Sequence, residues 1–132
     1  MKIIRIANGN IPKYIIELAD KDPEITGYVH PEKDIFRYPI KDGEKVVGFF
    51  SPRKEDKEWR VGAIFVLPEY RGKGLSSKAL KEFFYGDNLP AYAHVGIDNF
   101  GSQKAFERAG FFPEDSARID EDGWENKKWN KT

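Results

Sequence analysis

The sequence predicts a single α/β (α+β) domain over residues 1–132, built on one mixed sheet. Three observations predict it. Two strand-like runs flank an Asp-Gly pair at residues 42–43, a third apolar run follows them, and helix-period and strand-period segments then alternate. The first half reads as a three-stranded antiparallel meander. The second reads as a strand–helix–strand crossover with parallel neighbouring strands.

Composition narrows the function classes. The chain has 132 residues, 39% of them hydrophobic and 14% aromatic, enough for one core of ordinary size. Its 22 basic and 22 acidic residues cancel, which disfavours a general binder of nucleic acid or membrane surfaces. With no cysteine, disulfides, zinc-thiolate sites and a cysteine nucleophile are excluded. The two histidines, His30 and His94, have no motif spacing, so no metal site is expected. No stretch approaches the roughly 20 apolar residues of a membrane span, residues 1–6 are too short a run for a secretory signal, and cytoplasmic placement is expected.

In order, residues 2–6 read as an opening strand and residues 8–10 as a turn, with Asn10 a candidate helix cap. Pro12 suits a first helical turn, and Tyr14, Ile15, Leu18 and Ala19 share a helical face that ends near residues 20–23. Residues 24–34 show no period and read as a loop or short helical turns. Residues 35–40 and 45–50 form the hairpin, residues 51–57 a polar connection, and residues 58–67 the third strand. A helix follows over about 76–85, with Leu75, Ala79, Leu80, Phe83 and Phe84 on its apolar face. Next come a strand at 91–97 and a helix at about 99–109, capped by Asp98 or Asn99 and closed by Gly110. Strands near 117–120 and 124–129 around an Asp122–Gly123 turn complete the chain.

The stretch from Val61 to Leu80 organises the rest. An apolar strand leads into a Pro-marked turn, a basic glycine-rich loop and a helix. Amide groups at a helix N-terminus lack internal partners and lie at the positive end of the helix dipole. Gly72 and Gly74 let the main chain approach a ligand closely, and Arg71 and Lys73 add positive charge. A pyrophosphate suits such a loop.

Two motifs in register resemble the GNAT superfamily of N-acetyltransferases, which use acetyl-coenzyme A. One is the loop Arg71–Gly72–Lys73–Gly74–Leu75–Ser76, matching Arg/Gln–x–x–Gly–x–Gly/Ala. The other is the run from Asn99 through Ala105, Phe106 and Ala109 to Gly110–Phe111. The resemblance runs from about Val46 to Phe112. It implies a GNAT fold: a mixed central sheet of about six to seven strands, with a strand–helix–strand–helix core that binds acyl-coenzyme A. It also implies roles. The backbones of Ile64, Phe65 and Val66 would pair with the pantetheine arm, and the amide near Ile64 could polarise the thioester carbonyl. The amides of Arg71, Gly72, Lys73, Gly74, Leu75, Ser76 and Ser77 would hold the pyrophosphate. Asn99 would contact the cofactor arm, with Phe106 in the same set. An amine would attack the thioester directly, with preorganised N–H donors stabilising the oxyanion and most of the rate gain coming from positioning.

Three positions depart from the family pattern. Ser76 takes the Gly/Ala place. Phe106 stands where many members carry a proton-donating tyrosine. Arg60 stands where members often place a basic glutamate, and Glu58 lies two residues upstream, about 7 Å along the strand. His94 and Tyr92, on one face of the next strand, complete the candidate catalytic set. A solvated strand end for Glu58, a half-buried structural histidine for His94 and a packing role for Tyr92 are the competing readings. Positioned acid–base groups contribute roughly 10²–10⁴-fold, so transfer without them is slow rather than excluded.

The acceptor expected from the resemblance is a small-molecule amine or a protein or peptide amine. The acidic residues at 114–115 and 120–122 could attract a cationic amine, or could simply form a solvated loop. Trp124 and Trp129 could line the same groove or pack in the sheet. The alternative function is a coenzyme A-binding or interaction protein that keeps the fold without turnover. Nucleic-acid contact through Lys54, Lys57, Trp59 and Arg60 is a minor option. A monomer or homodimer is expected.

Overall fold

The computed structural model describes residues 11–22 and 36–131. The strand expected at 2–6, the turn with Asn10 and the segment 24–34 lie outside the described residues. Tyr38–Asp42 (β1) and Lys45–Glu55 (β2) pair antiparallel with Asp42 opposite Lys45. The loop between them is therefore Gly43 and Glu44, with Gly43 at φ +62°, a backbone state that favours glycine.

The polar connection expected over 51–57 is mostly strand. β2 continues to Glu55, and Asp56 and Lys57 alone turn the chain into Glu58–Val66 (β3). Pro52 sits at a register shift, where an interrupted ladder tolerates a missing N–H. Phe50 faces Ile64 and Pro52 faces Val61. Two steps along β2 thus match three along β3, which places a bulge on β3 around Gly62 and Ala63. Beyond it the strands close tightly at Gly48, where a Cβ would clash with the Phe65 carbonyl oxygen.

After a 3-10 turn at Pro68–Tyr70, Leu75–Phe84 forms a helix. The described residues hold three α-helices: Lys13–Asp20 (α1), this one (α2), and Phe100–Arg108 (α3). Ala91–Gly96 (β4) pairs with β3 in parallel, as expected, but only at Trp59–Ala91 and Arg60–Tyr92. Past those pairs the two strands part. Phe111–Pro113 (β5), Arg118–Ile119 (β6) and Glu125–Lys131 (β7) follow. The sheet of described residues has seven strands in the order β1-β2-β3-β4-β7-β5, with β6 also on β7.

One face of this sheet is sealed by aromatic packing. Phe83 of α2 meets Tyr38, Phe50, Trp59 and Phe84 at centroid distances of 5.2, 5.5, 5.1 and 4.9 Å. Phe84 and Phe106 both contact Phe111, which brings α2 and α3 to the same face. Each such ring contributes about 1.5–3 kcal/mol by burial, and edge-to-face contacts add about 0.5–1.5 kcal/mol. In α1 the buried face is narrower than its periodicity suggests. Ile15 and Ala19 are buried, whereas Tyr14 and Leu18 are 49% and 45% exposed. Trp129 joins the core.

Candidate active site

The parting of β3 and β4 and the start of α2 define one cleft of about 420 Å³. Its walls include Ile64, Phe65 and Val66 from β3, the loop residues Arg71, Gly72 and Gly74, and Leu75, Ser76 and Ser77 from α2. Asn99 and the exposed side of α3 close it. Ten of the twelve residues read from the sequence as cofactor-binding therefore come together. Phe106 lines a smaller adjoining cavity of about 20 Å³ between β3 and β4, together with Gly62, Ala63, Ile64, His94 and Asn99. Lys73 stands outside both, with its ammonium 5.2 Å over the Tyr70 ring and 3.9 Å from the Asp42 carboxylate.

Local backbone geometry suits this cleft to an anion. Gly72 and Gly74 have φ +81° and +78°, and Gly74 caps α2 without a side-chain hydrogen bond. The Lys78 N–H donates to the Gly74 carbonyl at 3.1 Å. The N–H groups of Leu75, Ser76 and Ser77 precede that first helical bond and have no place in the internal ladder. Arg71 donates from Nε to the Val66 carbonyl at 2.8 Å and approaches Asp22 at 3.5 Å. Its charge is thus partly spent on holding the loop. At the other wall Asn99 caps α3 by accepting from the Ser102 N–H at 3.1 Å, which settles the cap between the two residues considered.

Sequence reasoning missed part of this wall. Phe100, Lys104 and Arg108 of α3 all line the cleft, and Phe100 is 68% exposed. Their spacing of four residues was the available signal, since i and i+4 share a helical face. Lys104 and Arg108 bring two cations that the loop motif does not contain.

The candidate catalytic residues are not equally placed. Glu58 begins β3, six residues from Ile64, so about 20 Å of strand separates it from the cleft. It lines neither cavity. His94 does line the smaller one. Its basicity falls to a pKa of about 4, chiefly through burial and then through the charges of Arg118, Arg60 and Lys128, with the Asn126 amide partly opposing them. Its Nδ1 is buried and makes no hydrogen bond of good geometry. The imidazole is therefore neutral near pH 7. Tyr92 is one strand step pair away, its hydroxyl donating to Glu55 at 2.7 Å. Burial first, then the hydrogen bond and charge of Glu55, push Tyr92 up to about 12. Such a phenol stays protonated and already committed. Burial alone would raise Glu55, but the bonds from Tyr92 and Arg53 and the charges of Arg53 and Arg60 outweigh it and lower its pKa.

Among the described residues no group of three or more His, Asp or Glu could hold a metal, and no helix is long and apolar enough to cross a membrane. A comparison with curated proteins finds no match. Among solved structures the chain is similar to a variant of spermidine N-acetyltransferase from Vibrio cholerae, at 24% identity and TM-score 0.56, covering 73% of this chain and 64% of that one. The chain thus spans under two thirds of that relative's length. The same enzyme in complex with CoA and spermine matches at 21% identity and TM-score 0.55, covering 72% and 62%. An IAA acetyltransferase from Bacillus cereus matches at 20% identity and TM-score 0.63, over 92% of both chains. These likenesses bear on the fold. The Acetyltransferase (GNAT) family model matches residues 6–111, and the chain belongs to that family.

Proposed function

We propose that the chain transfers an acetyl group from acetyl-coenzyme A to a primary amine by direct attack. The observation that carries this reading is the continuity of the site. A glycine-built helix N-terminus opens into a cleft whose far wall is the β3 edge that β4 does not pair, with the Val66 carbonyl held by Arg71, and that cleft adjoins the β3–β4 gap. The free amides of Leu75, Ser76 and Ser77, with Gly72 and Gly74 beside them, would hold the pyrophosphate. Lys104 and Arg108 add charge from α3. The Ile64–Val66 edge, which β4 leaves unpaired, would run beside the pantetheine arm as an added strand. Bound there, the co-substrate supplies an activated acetyl thioester.

The chain's own residues then position and desolvate. Phe106, 2% exposed, closes the gap and has no proton to give. His94 offers a neutral ring but holds a proton weakly, and Glu58 is too distant to serve as a base at Ile64. Rate enhancement therefore rests on juxtaposition of the two substrates and on N–H donors at the β3 bulge. A coenzyme A binder without turnover is the competing reading, and the same three residues favour it. A thiol-release assay with acetyl-coenzyme A and a panel of primary amines decides between them. Amine-dependent thiol release supports transfer; acetyl-coenzyme A binding with no release for any amine supports the binder.

A further inference from the structure

Opposite the face covered by α2 and α3, alternate residues of β3, β4 and β7 carry a different chemistry. Arg60 pairs with Tyr92, Lys128 with His94, and Asn126 with both Gly96 and Arg118. The Lys128 ammonium lies 4.6 Å over the Tyr92 ring, and the Tyr92 and His94 rings meet edge-on at 5.5 Å. These pairings put Arg60, Lys128 and Arg118 on the same sheet face as His94, which also lines the small cavity with Ile64, Asn99 and Phe106. At its edge Asn126 is 1% exposed, and its Oδ1 has no hydrogen-bond partner.

Several nearby carboxylates make hydrogen bonds of their own, and Glu55 also feels the charge of Arg60. Glu55 accepts from Tyr92 and Arg53, and Glu114 accepts from Asn130. Asp120 closes its own turn by accepting from the N–H groups of Asp122 and Trp124. Part of the acidic segment that suggested attraction for a cationic amine is therefore structural.

We propose that the acceptor is a small primary amine bearing a carboxylate close to its nitrogen, with the carboxylate toward Lys128 and Arg118 and the amine at the His94 end of the β3–β4 gap. This rests on the acetyl-transfer reading of the same site. In the step, the nitrogen forms a bond to the acetyl carbon, the carbon–sulfur bond breaks with its electron pair left on sulfur, and the surplus proton passes to water. A polyamine meets like charge at this face, which costs binding. A carboxylate gains from the same field beside the half-buried Lys128 and the exposed Arg118.

The test is acetyl transfer by the full chain at fixed ionic strength, comparing amino acids, their matched carboxamides and spermidine. A carboxylate-bearing amine should exceed its carboxamide and spermidine in kcat/KM by roughly tenfold or more. Lys128→Gln and Arg118→Gln should each shrink that advantage several-fold, mainly through KM, while acetyl-coenzyme A affinity by calorimetry stays unchanged. Equal use of matched pairs, a preference for spermidine, or no transfer to any carboxylate-bearing amine overturns the proposal. Failure to bind acetyl-coenzyme A would instead overturn the cofactor reading. In that case acceptor binding is still read from the His94 ring resonances, which a carboxylate-bearing amine must shift and its carboxamide must not.

Discussion

Arg71 Nε donates to the Val66 carbonyl at 2.8 Å, tying the first residue of the glycine-rich loop to the last residue of β3. The guanidinium also lies 5.6 Å over the Phe65 ring and 3.5 Å from Asp22. This side chain therefore fixes the angle between strand and loop as well as offering charge. Replacement by alanine should cost about 1 kcal/mol of stability through the lost hydrogen bond and weaken acetyl-coenzyme A binding. Arg71→Lys should restore less than half of either, because an ammonium lacks the planar fork that bonds and stacks together. Denaturant midpoints and calorimetric titrations measure the two effects.

Asn99 has two separable duties. Its Oδ1 caps α3 through the Ser102 N–H, and its side chain also lines both cavities. Asn99→Ala should lose about 1 kcal/mol of stability and weaken the cofactor. Asn99→Asp keeps a capping oxygen but has no amide donor and adds negative charge. It should melt near the wild-type temperature and still bind acetyl-coenzyme A poorly. Equal affinity for wild type and Asn99→Asp would show that the amide does not touch the ligand.

The depressed basicity of His94 sets a pH window. Folded, it titrates at about 4 rather than 6.5, through burial first and the charges of Arg118, Arg60 and Lys128 next. Between those values the unfolded chain takes up a proton that the folded chain refuses, so stability is intact above about 6.5 and falls as the pH drops toward 4. Glu55, held below its ordinary value, adds a loss at still lower pH. Melting temperatures from pH 7 to 4 should fall less steeply in His94→Gln than in wild type. Parallel curves would mean that His94 is not buried in its neutral form.

Much of the site was legible because it is local. The loop, its glycines, the strand before it and the helix after it are contiguous, so the order of residues carried the geometry from Val61 to Leu80. What was missed depended on distant partners. The extension of β2 to Glu55 exists because β3 lies beside it, and its polar residues read as a connection. β5, three residues ending in Pro113, is too short for a period to register. Glu58 looked close to the chemistry by face alone, whereas the strand's length carries it away from the gap. The cations around His94 come from β3, β6 and β7 and meet only through strand pairing.

Binding of acetyl-coenzyme A at the start of α2 is the central claim, and Gly74 tests it. A Cβ there would meet only Ser77 Oγ at 3.8 Å and Arg108 Nη1 at 4.0 Å, so the main local cost of Gly74→Ala is its φ of +78°, about 1 kcal/mol. Gly74→Glu carries the same backbone cost and adds a carboxylate where the pyrophosphate would lie. Calorimetric titration of wild type, Gly74→Ala and Gly74→Glu with acetyl-coenzyme A at moderate salt is the direct measurement. Saturable binding by wild type, retained in weakened form by Gly74→Ala and lost by Gly74→Glu while both variants melt alike, is the predicted result. No saturable binding by wild type, or unchanged affinity in Gly74→Glu, would contradict it.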